Sequence, residues 1–166
     1  MLIDQKRAHE RILYEKYMDC LINEQAVSQA DMFPVTMELN PADYYILKEI
    51  EEGLGTLGFR IQHDGNNTIT IIGRPSDSVS SDPAEMMEIL LEDFKTTKTD
   101  PAAGAKEKIS AAMAAASAIP YGKPLTQGEM EDLFDTLFAC SAPNYSPSGK
   151  PVISILGTDE IDKRFK

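Results

Sequence analysis

The sequence predicts an α+β fold with two lobes: the chain ends form one lobe, into which the middle segment is inserted as a small α/β lobe. Apolar residues recur with helical spacing in long segments and alternate with polar residues in short ones. The resulting order is α, then β-α-β-β-α, then α-α-β-α, which differs from the strict alternation that builds parallel sheets. Polar stretches near positions 40 and 100 bracket the middle, so the expected segments are 1–38 with 105–166, and 39–104.

Composition excludes some classes of function. The chain has 166 residues, a formal net charge of −11 and a pI of about 4.6. Such a charge argues against strong nucleic-acid binding, which requires a basic face. No stretch is long enough to span a membrane, no signal peptide is recognisable, and Cys20 and Cys140 read as reduced thiols, so a cytoplasmic protein is expected. The first helical signal comes almost at once, which suggests a domain of a longer protein.

The first helix is predicted from about Asp4, which can cap it, to Asn23. Its apolar face contains Leu13, Tyr17, Cys20 and Leu21 and is widened by Ile12, Tyr14, Met18 and Ile22. Opposite charges stand four residues apart, as in stabilised helices, in the pairs Lys6–Glu10 and Arg11–Glu15.

The middle segment begins with a half-buried strand, entered through Pro34, in which Val35, Met37 and Leu39 alternate with polar residues. "NPAD" then starts a helix, with Asn40 as cap and Pro41 in the first turn. This helix has an apolar face and ends at a glycine: Ile46, Leu47, Ile50, Leu54, Leu57 and Gly58.

A β-hairpin follows, with its turn at Asp64–Asn67, and then the polar loop "RPSDSVSSD". "DPAE" starts a further helix whose inward face contains Met86, Met87, Leu90 and Phe94. The best candidate linker is "KTTKTDPAAG".

The last third begins with an alanine-rich helix whose small residues suggest close packing against a neighbour, with Ile109, Ala112, Met113, Ala116 and Ile119 on one face. Pro120 stops it. Thr126 and Glu129 form a capping box for the next helix, whose apolar face contains Met130, Leu133, Phe134, Leu137 and Phe138. The strand "VISIL" and the short helix "TDEIDKRF" complete the chain.

Three segments could carry chemistry, and the residues alone favour the plainer interpretation of each. Asp4, His9, Glu10 and Glu15 offer donors for a divalent metal, but no HExxH pair exists, and a solvated helix face is favoured. "QADMFP" is either the lead-in to a strand or a docking peptide. "SPSGKP" lacks the GxxxxGK[ST] frame of a phosphate-binding loop and is better explained as a turn.

Taken together and in order, these segments resemble the C-terminal domain of the MutL family of mismatch-repair proteins. "IDQKRAHERILYE" is similar to the family pattern DQHAxxExxxxE, and "QADMFP" to its QxxLxP-type motif for binding the sliding clamp. "PVTMELNPAD", "LGFRI", "SAIPYGKPLTQGEMEDLF" and "DKRF" continue the resemblance over nearly the whole chain.

The resemblance implies a homodimer, with 1–38 and 105–166 as the dimerisation lobe and 39–104 as the external, regulatory lobe. It implies clamp binding through Gln29, Met32, Phe33 and Pro34. This domain would need no cofactor of its own, whereas ATP and Mg would bind an N-terminal ATPase part of the full-length protein. MutS and mismatched DNA would be partners of that longer protein, and no membrane is involved.

Many members of the family are also metal-dependent endonucleases, and this sequence departs from the nuclease pattern. Lys6 and Arg7 replace a histidine and an alanine, Ala115 stands where a cysteine is expected, and Ser146 and Ser148 replace a cysteine and a histidine.

The remaining carboxylates, Asp4, Glu10 and Glu15, are too few for a tight transition-metal site. We therefore expect an inactive site in which Lys6 acts as an internal counter-charge. The alternative is an active nuclease with a rearranged site.

Overall fold

The computed structural model describes residues 1–23, 28–75, 82–96, 104–157 and 163, with the backbone alone for 28–33. These residues form an α+β fold, as predicted. The helices are α1 Gln5–Asn23, α2 Pro41–Thr56, α3 Pro83–Thr96, α4 Ala105–Ser117 and α5 Gln127–Ala139. The strands are β1 Leu2–Ile3, β2 Ser28–Glu38, β3 Arg60–Gly65, β4 Thr68–Pro75 and β5 Ile153–Ser154. In the described part of the chain, no helix is long and apolar enough to cross a membrane.

The alanine-rich helix α4 lies at the centre of the main core. It packs against α1 and α3 and, over a smaller area, against α2. Eight of its thirteen residues are buried, because alanine and serine allow neighbouring helix backbones to approach closely. Small side chains therefore serve the interior of this protomer.

A three-stranded antiparallel sheet, ordered β2-β4-β3, covers one side of this core. The hairpin between β3 and β4 turns through Asn66 and Asn67, both with positive φ (50° and 59°), which is the geometry of a two-residue turn matched to strand twist. The predicted alternation in β2 is confirmed from Val35 onward, since Val35 and Met37 are partly covered while Thr36 and Glu38 are exposed.

Local helix signals are confirmed at the residues that carry them. Asn40 Oδ1 accepts a hydrogen bond from the Asp43 N–H (2.9 Å), and the Thr126–Glu129 capping box is complete. Asp82 Oδ1 accepts from the Ala84 N–H at the start of α3 (2.9 Å). These helices begin where their backbone N–H groups find an acceptor.

A two-stranded antiparallel sheet joins the two ends of the described chain. β1 pairs with β5 through Leu2–Ser154 and Ile3–Ile153. A second, smaller core lies beneath it, formed by Ala8, Leu137 and Val152. The strand at "VISIL" is confirmed in shortened form, whereas β1 has no local signal and exists only because β5 pairs with it.

One predicted apolar face is largely exposed. Of the five apolar residues on α5, only Leu137 is buried, while Met130, Phe134 and Phe138 face solvent. The expected loop at 76–81, the linker around 97–103 and the C-terminal helix lie wholly or almost wholly outside the described residues. The proposed lobe boundary at residue 38 falls at the end of β2, and the division into lobes remains a proposal.

Candidate functional site

A cleft with a volume of about 530 Å³ lies where α1, α3, α4 and the loop before β5 meet. Its charged side chains are Lys6 and Glu10 from α1, Asp93 from α3 and Lys150 from the loop. The remaining lining residues are Ile89, Thr96, Ala111, Ala115, Pro147 and Ser148. The fold thus gathers Lys6, Ala115 and Ser148, three of the positions at which the sequence departs from the nuclease pattern.

Lys6 and Glu10 form an ion pair inside this cleft. Lys6 Nζ lies 3.8 Å from Glu10 Oε1, and the ammonium also lies over the Tyr121 ring, 5.4 Å from its centroid. The Glu10 side chain is only 17% exposed. The positive charge beside this carboxylate is therefore supplied by the protein itself.

Burial is the largest influence on Glu10 and raises the pKa of its carboxyl above the ordinary value. The Lys6 ammonium opposes this shift, the Asp93 carboxylate adds to it, and Lys150 opposes it more weakly. The pKa is raised overall, so the ion pair only partly offsets what Glu10 loses by leaving water.

Asp93 is the cleft residue that the sequence analysis missed. It comes from the middle segment and lines the same cleft as Glu10, although the two residues are far apart in the sequence. The available signal was its position seven residues after Met86, which places a carboxylate next to the buried face of α3. Only the packing of α3 against α4 brings Asp93 into the cleft that the α1 residues also line.

The loop at Ser146–Pro151 is held by hydrogen bonds among its own residues. Ser146 is buried, its Oγ lies 3.0 Å from Ser148 Oγ, and it accepts from the Lys150 N–H (3.2 Å). The Ser146 N–H donates to the Lys150 carbonyl (2.8 Å), and Gly149 adopts a positive φ of 77°. The two serine hydroxyls thus stabilise the turn that the sequence predicted, and they offer a metal only weak donors.

The donor set does not fit the transition-metal centre of the nuclease pattern. In the part of the chain that the structure describes, no three His, Cys, Asp or Glu side chains converge as metal ligands would. Around the cleft, Glu10 and Asp93 are the carboxylates, and the Lys6 ammonium lies beside Glu10. A soft or borderline metal is bound most tightly by thiolate and imidazole donors, and an ammonium repels it.

Asp4, one of the three predicted remnants, is not among the residues lining the cleft. Its Oδ1 accepts from the Arg7 N–H (3.0 Å), which caps α1. Its Oδ2 lies 3.3 Å from Arg7 Nε and accepts from the Tyr121 hydroxyl at 3.3 Å. Asp4 therefore organises the start of α1 and its neighbouring loop.

Glu15 lies apart from the cleft as well. Its carboxylate accepts from the Ser141 N–H and the Ser141 hydroxyl (both 2.8 Å) and from the Ala142 N–H (3.3 Å). Burial would raise the pKa of Glu15, but the hydrogen bonds from Ser141 and Ala142, with nearby Arg11, lower it overall. Arg11 Nε in turn donates to the Tyr145 carbonyl (2.6 Å).

His9, the remaining candidate donor, is also occupied. Its Nδ1 accepts a hydrogen bond from the Ile119 N–H (3.0 Å), just after α4. Of the four residues first considered as metal ligands on the opening helix, only Glu10 reaches the cleft. The other three fasten α1 to neighbouring segments.

The candidate clamp motif lies on the outer strand of the three-stranded sheet. β2 pairs with β4 through Gln29–Arg74 and Ala30–Gly73, and pairing resumes at Val35–Ile71. Four residues, 31–34, thus stand against one residue of β4, which is a large irregularity in an edge strand. Pro34 is exposed, whereas the side chains of Gln29, Met32 and Phe33 lie outside the described residues.

The comparisons with known proteins all identify the same family. The family model described as the MutL C-terminal dimerisation domain matches residues 1–125. The chain is 37% identical to the DNA mismatch repair protein MutL of Phocaeicola vulgatus over 170 residues, covering 100% of this chain and 27% of that protein. It is 34% identical to the MutL of Bacteroides fragilis (100% and 27% covered) and of Pelodictyon phaeoclathratiforme (99% and 26%). The chain spans about a quarter of the length of these relatives.

Proposed function

Because the chain belongs to the MutL C-terminal dimerisation domain family, we propose that it forms the homodimer of a mismatch-repair protein and docks the sliding clamp without cutting DNA. The observation that supports the absence of DNA cutting is the Lys6–Glu10 ion pair in the nuclease-type cleft. A permanent ammonium there neutralises one carboxylate without any exchangeable metal.

The inactive cleft follows from the chemistry of its lining. Phosphodiester hydrolysis by a metalloenzyme needs a Lewis acid that polarises the phosphate or lowers the pKa of a bound water. An ammonium supplies charge but has no open coordination position for water. Ala115 and Ser148 complete a lining with neither a thiolate nor an imidazole donor.

Metal analysis and a nicking assay on the purified protein test this part. We expect substoichiometric zinc and manganese, and no manganese-dependent conversion of supercoiled plasmid to the nicked form. To detect a contaminating nuclease, Glu10→Ala is compared with Glu131→Ala. Glu131 is an exposed residue on α5, so its replacement is the matched control. Stoichiometric bound metal, or nicking that Glu10→Ala abolishes and Glu131→Ala leaves intact, would overturn the proposal.

The alternative function, a nuclease with a rearranged site, has one observation in its favour. Asp93 brings a second carboxylate to Glu10, and two hard oxygen donors suit Mg²⁺ better than zinc. The same assay is therefore run with magnesium. Magnesium-dependent nicking lost in both Glu10→Ala and Asp93→Ala would favour this alternative over the inactive site.

Clamp docking is supported by the position and shape of the "QADMFP" segment. It lies on an edge strand, where residues 31–34 leave the regular ladder and Pro34 is exposed. A short segment displaced from a sheet edge is accessible to the groove of a partner. We propose Gln29 as the polar contact and Met32 and Phe33 as apolar anchors.

Titration against purified sliding clamp tests the docking. Replacing Gln29 and Pro34 together by alanine should weaken binding at least tenfold while the oligomeric state is unchanged. Glu38→Ala, an exposed position on the same strand, is the matched control. Equal affinity for the double variant and the control would mean that the segment is only part of the sheet.

The remaining functions are proposals about the longer protein. An ATPase part that binds ATP and Mg, contacts with MutS and mismatched DNA, and a cytoplasmic location all fit the relatives named MutL. In this proposal, 1–38 with 105–166 is the dimerisation lobe and 39–104 the regulatory lobe.

A further inference from the structure

Ile72 on β4 is exposed beside the segment that we propose docks the clamp. It is 36% exposed, whereas Ile71, on the other face of the sheet, is fully buried. The pairing of β2 with β4 stops at Ala30 and resumes at Val35, so the displaced residues 31–34 stand opposite Ile72 alone. An apolar side chain from another strand therefore lies next to the docking segment.

The opposite side of β4 is irregular at the same residue. Arg60 and Ile61 are adjacent on β3, yet their partners on β4 are two residues apart. Ile72 is the extra residue between those partners. A bulge of this kind redirects a side chain and often lies next to a functional site. Two irregularities that meet at one exposed isoleucine distinguish Ile72 from the single apolar residues scattered over any protein surface.

A polar network adjoins Ile72 on the outer face of the sheet. Thr36 Oγ1 lies 2.8 Å from Thr70 Oγ1, which donates to Asp64 Oδ2 (2.6 Å). Gln62 Nε2 donates to the other oxygen of the same carboxylate (2.9 Å). Apolar residues bordered by a hydrogen-bonded polar rim are the usual organisation of a protein–protein interface.

The docking segment alone is too small for a standard interface. It has six residues, 29–34, whereas each side of a standard interface has roughly 20–30 residues. A stable complex would need further contacts from surface that is continuous with the segment. Ile72 lies on that surface, because it is the β4 residue directly opposite the displaced part of β2.

We infer that Ile72 and Arg60 extend the clamp-docking surface from the "QADMFP" segment across the outer face of the sheet. The inference rests on the proposed clamp docking and enlarges its contact surface. The partner is the part of the clamp beside its peptide groove, where Ile72 packs against an apolar residue. Arg60, exposed at the same irregularity, pairs with a carboxylate there. A guanidinium suits this contact, because it binds carboxylates in a fixed geometry and orients a partner on a chain of net charge −11.

Titration of the whole chain against purified sliding clamp tests the contact at Ile72 with Ile72→Val and Ile72→Thr. Valine and threonine have nearly the same shape and both favour strands, so the two variants differ chiefly in apolarity. We expect Ile72→Thr to bind roughly 3- to 10-fold more weakly than Ile72→Val, because docking removes its hydroxyl from water. Circular dichroism of the two variants should be the same.

The same titration with Arg60→Gln tests the charged contact. Affinity should fall about 3-fold at 50 mM salt and less at 500 mM, because salt screens an exposed ion pair. The control is Tyr45→Thr, which removes an apolar side chain that is 73% exposed on α2. It should bind the clamp as the wild type does.

The outcomes separate this inference from the docking on which it rests. If the Gln29 and Pro34 double variant binds weakly while Ile72→Thr and Ile72→Val bind equally well, the docking stands and the contact at Ile72 is wrong. If the double variant binds as tightly as the wild type, the docking itself is wrong. Wild-type affinity of Arg60→Gln at low salt would overturn the carboxylate contact.

Discussion

At the scale of single residues, two glutamates of the same helix have opposite relations to their surroundings. Glu15 receives three hydrogen bonds from Ser141 and Ala142, and the pKa of its carboxyl is lowered. Glu10 is more deeply buried, faces Asp93, and has a raised pKa. The family pattern assigns both to one nuclease motif, yet here the two side chains make different contributions to stability.

Glu15→Gln should destabilise the protein. The amide loses the charge that strengthens these hydrogen bonds and turns one NH₂ group toward N–H donors, so a loss of about 1–2 kcal/mol is expected at pH 7. The folded pKa lies below the ordinary value of 4.5, so the stabilisation is present above that value. It is lost as pH falls through the folded pKa. Urea unfolding should show the largest difference in stability between variant and wild type at pH 7, and this difference should narrow as the pH falls below 4.5.

Glu10→Gln should have the opposite effect and stabilise the protein. A raised folded pKa means that the native state binds the proton more tightly, so ionised Glu10 lowers stability at pH 7. Removing the charge should raise the midpoint of thermal unfolding at pH 7, and the difference should vanish as pH falls below the ordinary value of 4.5. A variant less stable than wild type at pH 7 would mean that the Lys6 ion pair outweighs the effect of burial.

At the scale of elements, the contact between α2 and α4 depends on a glycine. A Cβ at Gly53 would lie 2.6 Å from Ile109 Cδ1, whereas a Cβ at Gly55, two residues on, would meet nothing within 4 Å. Gly53 thus allows α2 to approach the central helix. Gly55 faces solvent and adds only backbone freedom to the unfolded chain.

Alanine at these two positions should separate packing from helix propensity. Gly55→Ala should stabilise by about 0.5–1 kcal/mol, because alanine is the better helix former. Gly53→Ala gains the same propensity but displaces Ile109 in a close-packed core, for a net loss of about 1 kcal/mol. Chemical unfolding of both variants in parallel measures the difference, and equal stabilities would show that Ile109 moves aside freely.

Elements with local signals are predictable from the sequence. Asn40 and Thr126 begin helices because each capping side chain and the backbone N–H that donates to it lie three residues apart. Asn66 and Asn67 turn the hairpin by their own φ preference. Strand β1 has no such signal, since its pairing partner β5 is about 150 residues away.

At the scale of the whole molecule, periodicity shows that a helix has an apolar face but not what covers it. The faces of α3 and α5 have the same spacing, yet Met86 and Leu90 are fully buried while Phe134 and Phe138 are exposed. Asp93 joins Glu10 in the cleft for the same kind of reason, because only the packing of α3 brings them together. Convergence of distant segments is a property of the tertiary fold, and no local pattern encodes it.

The proposed homodimer makes thermal stability depend on protein concentration. Folding then includes association, so each tenfold rise in protein concentration stabilises the dimer by about 1.4 kcal/mol. Shared between two protomers of this size, that corresponds to a rise in Tm of roughly 2 °C. Calorimetry from 5 to 500 μM should show this slope for the wild type. A transition temperature that does not change with concentration over this range would contradict the homodimer.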